Sequence, residues 1–126
     1  MSKTLDAQPS TPPGPPLSPA RTGGGLLFVS GQLALRDGRV VGDDITVQTD
    51  IAIGNLRSVL GEHGLDLKDI IRTGVWLTSS ENFTAFNLAY RRYFDEPYPA
   101  RATVISQLAL NGALVEIDAV AVLRAR

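Results

Sequence analysis

Apolar residues recur along this chain with two periods, and the switches between them divide it into elements. Leu26 to Ser30, LLFVS, has the density and branching of a strand; Gly31 interrupts it and Gln32 to Leu35 resumes it. A glycine inside a strand marks a bulge or a close approach of backbone to something else. Asp37-Gly38, between LAL and RVV, is a hairpin signal, so the first part reads as a β-meander. The period then lengthens. Ala52, Leu56, Val59 and Leu60 fall on one helical face, behind Asp43, Asp44 and Thr46 as candidate caps and before a His63-Gly64 stop. His63 therefore reads as a helix-end residue. Ile70 to Thr78, IIRTGVWLT, returns to a strand pattern, and Ser79 or Ser80 caps a second helix. In that helix Phe83, Phe86, Asn87, Tyr90 and Phe94 form one stripe, with Arg91, Arg92 and Glu96 on the solvated face. The stripe reads as core. Asn87 is an amide on an apolar face, and a buried amide needs partners. It either ties down a neighbouring loop or orients something at a site.

Arg101 to Ile105 and Leu114 to Leu123 are the last two strands, joined by a loop with Asn111-Gly112. In the final strand Val115, Ile117, Ala119 and Ala121 alternate with Leu114, Glu116, Asp118 and Val120, so both faces are mostly apolar. A strand of that kind is covered on both sides. Two helices cover one face, which leaves the other to meet another subunit. The fold class is α+β, a mixed sheet with two helices packed on one face.

A length of 126 residues, 44% of them hydrophobic, suits one domain with one core. The division expected is a proline-rich N-terminal segment over 1–20 and a folded domain over 21–126. Pro9 to Pro19, PSTPPGPPLSP, is too proline-dense for helix or central strand and should lie extended on the surface, and Gly23 to Gly25 mark a flexible turn. The formal net charge of −1 carries no electrostatic footprint for nucleic acid. Cysteine is absent and histidine occurs once, which excludes disulfides, thiolate nucleophiles and a multi-histidine metal site within one chain. No metal or other cofactor is expected. The first ten residues lack the apolar segment of a secretory leader, and no apolar run is long enough to span a membrane, so a cytoplasmic protein is expected.

The chemistry concentrates in two stretches. PARATVIS, residues 99–106, sets Arg101 at the mouth of a strand; VEIDAVAV, residues 115–122, sets Glu116 and Asp118 inside an apolar run. Cations and carboxylates in such positions are costly to bury without partners. From the residues alone two readings stay open: a chemical centre, or an ion pair across an interface.

SGQ at 30–32, VGDDITVQT at 41–49, NFTAFNLAYRRYF at 82–94, PARATV at 99–104 and VEIDAVAV at 115–122 together resemble the RidA/YjgF/UK114 family of reactive-intermediate deaminases, from about Leu17 to Arg126. The resemblance implies a chorismate-mutase-like fold and a homotrimer with a central β-barrel and ligand clefts between subunits. It implies that Arg101 grips a substrate carboxylate and that Glu116 orients or activates water. It sets Ser30 and Gly31 in a turn beside the pocket, with Asn87 near it. Members often carry a tyrosine where this chain has Leu17, and cysteine or threonine where it has Thr103. The activity implied is hydrolysis of short-lived 2-imino acids to 2-keto acids and ammonia. A guanidinium can hold the planar carboxylate through two parallel hydrogen bonds, and a glutamate can direct water at the C=N carbon as general base, with no metal. Two alternatives remain: a trimer that binds small carboxylates without turnover, and a ribonuclease or translation inhibitor, against which the acidic balance argues.

Overall fold

The computed structural model describes residues 14–124; the proline-rich stretch before Gly14 lies outside them. Chain order is β1 (Ala20–Gly23), β2 (Leu26–Leu33), β3 (Leu35–Arg36), β4 (Arg39–Val40), α1 (Ile45–Gly61), β5 (Ile70–Leu77), α2 (Phe83–Arg91), β6 (Ala100–Ile105) and β7 (Val115–Val122). Five strands form one mixed sheet in the order β1-β2-β7-β5-β6, and β3 and β4 make a separate ribbon. β7 is central and antiparallel to both β2 and β5, whereas β5 and β6 run parallel, joined through α2. That parallel pair requires a crossover, which α2 supplies. The α+β class and the two helices are as the pattern predicts.

One face of the sheet carries the core. Leu27 and Val29 of β2, Val75 and Leu77 of β5, and Val115, Ile117, Ala119 and Ala121 of β7 are buried with Ala52, Ile53, Leu56 and Leu60 of α1 and Phe86 and Tyr90 of α2. The residues that alternate with them face away from both helices. Among these Phe28, Val104 and Val122 are between 42% and 48% exposed, a row of large apolar side chains that one chain leaves uncovered.

Three expectations change. The glycines before Leu26 are not a free turn: Ala20–Gly23 pairs with Leu26–Val29, and Gly24 and Gly25, at φ +58° and +79°, turn the hairpin in the left-handed region that L-residues avoid. The interruption at Gly31 is a bulge within one strand, as an interior glycine signals: β2 runs through it to Leu33 with a register shift between Val29 and Gln32. The meander leaves the sheet at β3, where Asp37 and Gly38 turn the short ribbon. Phe83 is not core, being 43% exposed. Ser79 caps the 3-10 turn Ser80–Asn82 that leads into α2, and Asp44 caps α1 by accepting from Val47 N at 2.9 Å.

Candidate active site

Arg101 lies on the helix side of β6, paired with Thr73 of β5, under α2. Its Nη2 donates to Asn87 Oδ1 at 2.8 Å. Its guanidinium carbon sits 5.0 Å from the centroid of the Tyr90 ring, 5.3 Å from that of Phe86 and 6.0 Å from that of Phe83. The aromatic stripe is thus both core and a platform for the cation, with a cation–π contribution that grows where water is excluded. Asn87 acts as an orienting residue. Tyr90 is fixed in turn by a 2.8 Å hydrogen bond between its hydroxyl and Thr73 Oγ1, and its burial raises the phenol above its ordinary pKa. Arg101 enters no ion pair among the described residues. It lines a cavity of about 280 Å³ with Asn87, Tyr90, Arg91, Tyr98 and Pro99. Thr103, two positions along, shares the face of Arg101 beside Val75.

Glu116 is on the other face. It pairs with Leu33 of β2 and Trp76 of β5, whereas Val115 and Ile117 on either side of it point into the core. The bulge brings Gly31 over its carboxylate. A Cβ at residue 31 would overlap Glu116 Oε2 and lie 2.8 Å from its Cδ. Asp118, on the same face, accepts from Gly74 N at 2.8 Å, and Gly74 has no room for a Cβ either. Burial and then the Asp118 charge raise the Glu116 pKa above its ordinary value.

Leu17 and Ser30 occupy a third place. They line an open cavity of about 520 Å³ with Pro16, Ser18, Arg21, Phe28 and Val29. The Ser30 hydroxyl donates to Ser18 O at 2.6 Å and its amide to Pro19 O at 3.0 Å, so it straps the preceding chain onto β2. Within one chain the structure therefore unites Arg101 with Asn87 and Glu116 with Gly31, while Leu17 shares a cavity with Ser30, the residue before Gly31. It also adds Arg91 and Tyr98 to the cavity of Arg101. Arg91 and Arg92 are both exposed, as the helical pattern predicts; Arg92 ion-pairs with Asp50 at 2.8 Å, and Arg91 lines the rim of the open cavity.

This geometry has close counterparts. The family described as Endoribonuclease L-PSP matches residues 9–123. The chain belongs to this family, that of the YjgF and RidA proteins. Among its relatives, the mitochondrial protein mmf2 of Schizosaccharomyces pombe is 37% identical over 111 residues, 86% of this chain and 88% of mmf2. The solved structure of a conserved Rid family protein of unknown function from Yersinia pestis is 35% identical, with a TM-score of 0.79, covering 85% of this chain and 87% of that one. RidA from an Antarctic Psychrobacter is 27% identical at a TM-score of 0.74, covering 88% and 91%. A mitochondrial relative leaves the compartment of this Rid-family chain open, so the cytoplasmic expectation narrows to a described fold in which no helix is long and apolar enough to cross a membrane.

Proposed function

We propose that this protein hydrolyses reactive 2-imino acids to 2-keto acids and ammonia, in clefts between the subunits of a homotrimer. The observation that carries the reading is Arg101: a guanidinium held by Asn87 and three aromatic rings at the edge of a small cavity, with no carboxylate partner among the described residues. A buried or half-buried cation so prepared is matched by a small organic anion. Arg101 takes the substrate carboxylate through its remaining N–H groups. Because Glu116 faces the opposite side of the same sheet, the glutamate that meets this substrate comes from a neighbouring copy, docked through the uncovered row of Phe28, Val104 and Val122.

Water attacks the imine carbon as Glu116 accepts its proton, and the C=N bond becomes a C–N single bond in a carbinolamine. Glu116 returns that proton to the nitrogen, the carbinolamine hydroxyl proton then follows through the same carboxylate, and the C–N bond breaks so that ammonia leaves as the carbonyl forms. A carboxylate whose pKa is raised by burial is a better base near neutrality than an exposed one. The family description names an endoribonuclease, yet a net charge of −1 supports a small acid over a polyanion.

The test supplies imines in situ from alanine and 2-aminobutanoate with an amino-acid oxidase and follows keto-acid release. Wild type should exceed the buffer rate, and Arg101→Ala should lose on the order of 10²-fold, the worth of a charged bidentate contact. A wild-type rate equal to buffer removes the deaminase reading; acid binding without turnover replaces it with a binding role.

A further inference from the structure

We infer that the cavity beside Arg101 takes a small dicarboxylic acid, with Arg101 on one acidic group and Arg91 with Tyr98 on the other. This rests on the acid-binding reading of Arg101 given above, and under the deaminase reading it makes the preferred substrate a 2-imino dicarboxylic acid. Arg91 stands one helical turn beyond Asn87, so the two side chains leave the same face of α2. Asn87 holds Arg101, and both arginines line the same cavity of about 280 Å³. Among the described residues of one chain, no acidic side chain lines it. Asp95 and Glu96 instead line the neighbouring cavity together with Lys68. The basic side chains around α2 thus divide. Arg92 is neutralised by Asp50, which also accepts from the Tyr93 hydroxyl at 2.7 Å. Arg91 and Arg101 enter no ion pair among the described residues.

Two guanidiniums lining one open cavity offer it two cationic groups, which a dianion can engage together. A monocarboxylate on Arg101 leaves Arg91 unanswered. Tyr98 adds a hydroxyl donor at the rim, where the ring is 45% exposed. The cavity, at about 280 Å³, has room for an acid of few atoms.

Calorimetry on the full chain, with the stable keto acids as probes, reads this directly. 2-Oxoglutarate and oxaloacetate should bind about tenfold tighter than 2-oxobutanoate and pyruvate, and Arg91→Gln should bring the ratio close to one. Arg91→Lys should recover part of the preference, because a cation is restored without the planar fork. The same ratio should appear in kcat/KM for imines made from aspartate or glutamate against those made from alanine. Equal binding of both classes, or a ratio unmoved in Arg91→Gln, overturns the inference while leaving the deaminase reading intact if imines are turned over. Tighter binding of inorganic phosphate or 3-phosphoglycerate than of 2-oxoglutarate overturns the dicarboxylate assignment. Arg91-dependent binding of 2-oxoglutarate with no imine hydrolysed keeps the diacid site and removes the deaminase reading. Absence of binding by every probe overturns the inference.

Discussion

Position 31 has no room for a side chain because the Glu116 carboxylate lies against its backbone. Gly31→Ala must therefore push the carboxylate aside or open the bulge. We expect a cost of about 1–3 kcal/mol in urea denaturation and at least a tenfold loss of imine turnover. The glycine was legible as a bulge from its place inside an apolar run, but the group it admits was not, since residues 31 and 116 meet only through the pairing of β2 with β7. Glu116 also has a pH signature. Burial first and the Asp118 charge second raise its folded pKa above 4.5, so the folded chain binds that proton more tightly than the unfolded chain. The stabilisation is present in full below 4.5 and is lost as pH rises through the raised value. Glu116→Gln should raise Tm more near neutral pH than in acid, and abolish turnover. Asp66 and Asp69 run the other way. Hydrogen bonds from Arg57 and from Arg124 hold them below 3.8, so their contribution is present above 3.8 and fades as pH falls through the lowered values. Thermal melts across the acid range separate the two signs.

At the scale of elements, α1 is tied into the molecule by an amide rather than by its apolar face alone. Gln48 is 1% exposed; its Nε2 donates to Gly42 O at 3.1 Å and Gly112 O at 2.8 Å, and its Oε1 accepts from Leu114 N at 2.8 Å. One side chain thereby joins the entry of α1 to the loop before β7. Gln48→Leu keeps the bulk but orphans those backbone groups, and should cost about 2–4 kcal/mol in urea denaturation with an unchanged m-value. The hydrophobic pattern marks α1 through Ala52, Leu56, Val59 and Leu60, of which Val59 is only partly buried, but that pattern counts a glutamine as polar and gives no sign that Gln48 is buried. α2 shows the converse. Its stripe is visible, but Phe83 ends at the surface, because a helical wheel assigns faces and not the depth of what each face meets.

Across the whole molecule, the sheet is finished on one side and open on the other. Phe28, Val104 and Val122 lie on the open face, with Trp76, Glu116 and Asp118 among them. An apolar row interrupted by two carboxylates suits an interface between copies better than contact with water. Val104→Glu adds a third negative charge to that face. If the protein assembles as the proposed trimer, we expect it to leave the single-chain core intact, to shift the mass measured by light scattering from trimer to monomer, and to abolish imine turnover, since on that proposal Glu116 meets Arg101 only between copies. A trimer with undiminished turnover would show that Val104 lies outside the contact.

The α+β class, the two helices and the alternation of β7 follow from local pattern, because the strand and helix periods and the turn residues act over a few neighbours, whereas β1 and the separate β3–β4 ribbon do not. Charge, strand pattern and an amide on an apolar face single out Arg101, Glu116, Gly31 and Asn87, and the resemblance implies a role for each. What a string of letters could not convey is which face each occupies relative to the others. Strand pairing and the path of α2 put Arg101 with Asn87 and Arg91 on one side of the sheet and Glu116 with Gly31 on the other. Those placements depend on contacts between residues far apart in sequence, where packing of the folded chain, and not the preference of any one segment, selects the neighbour.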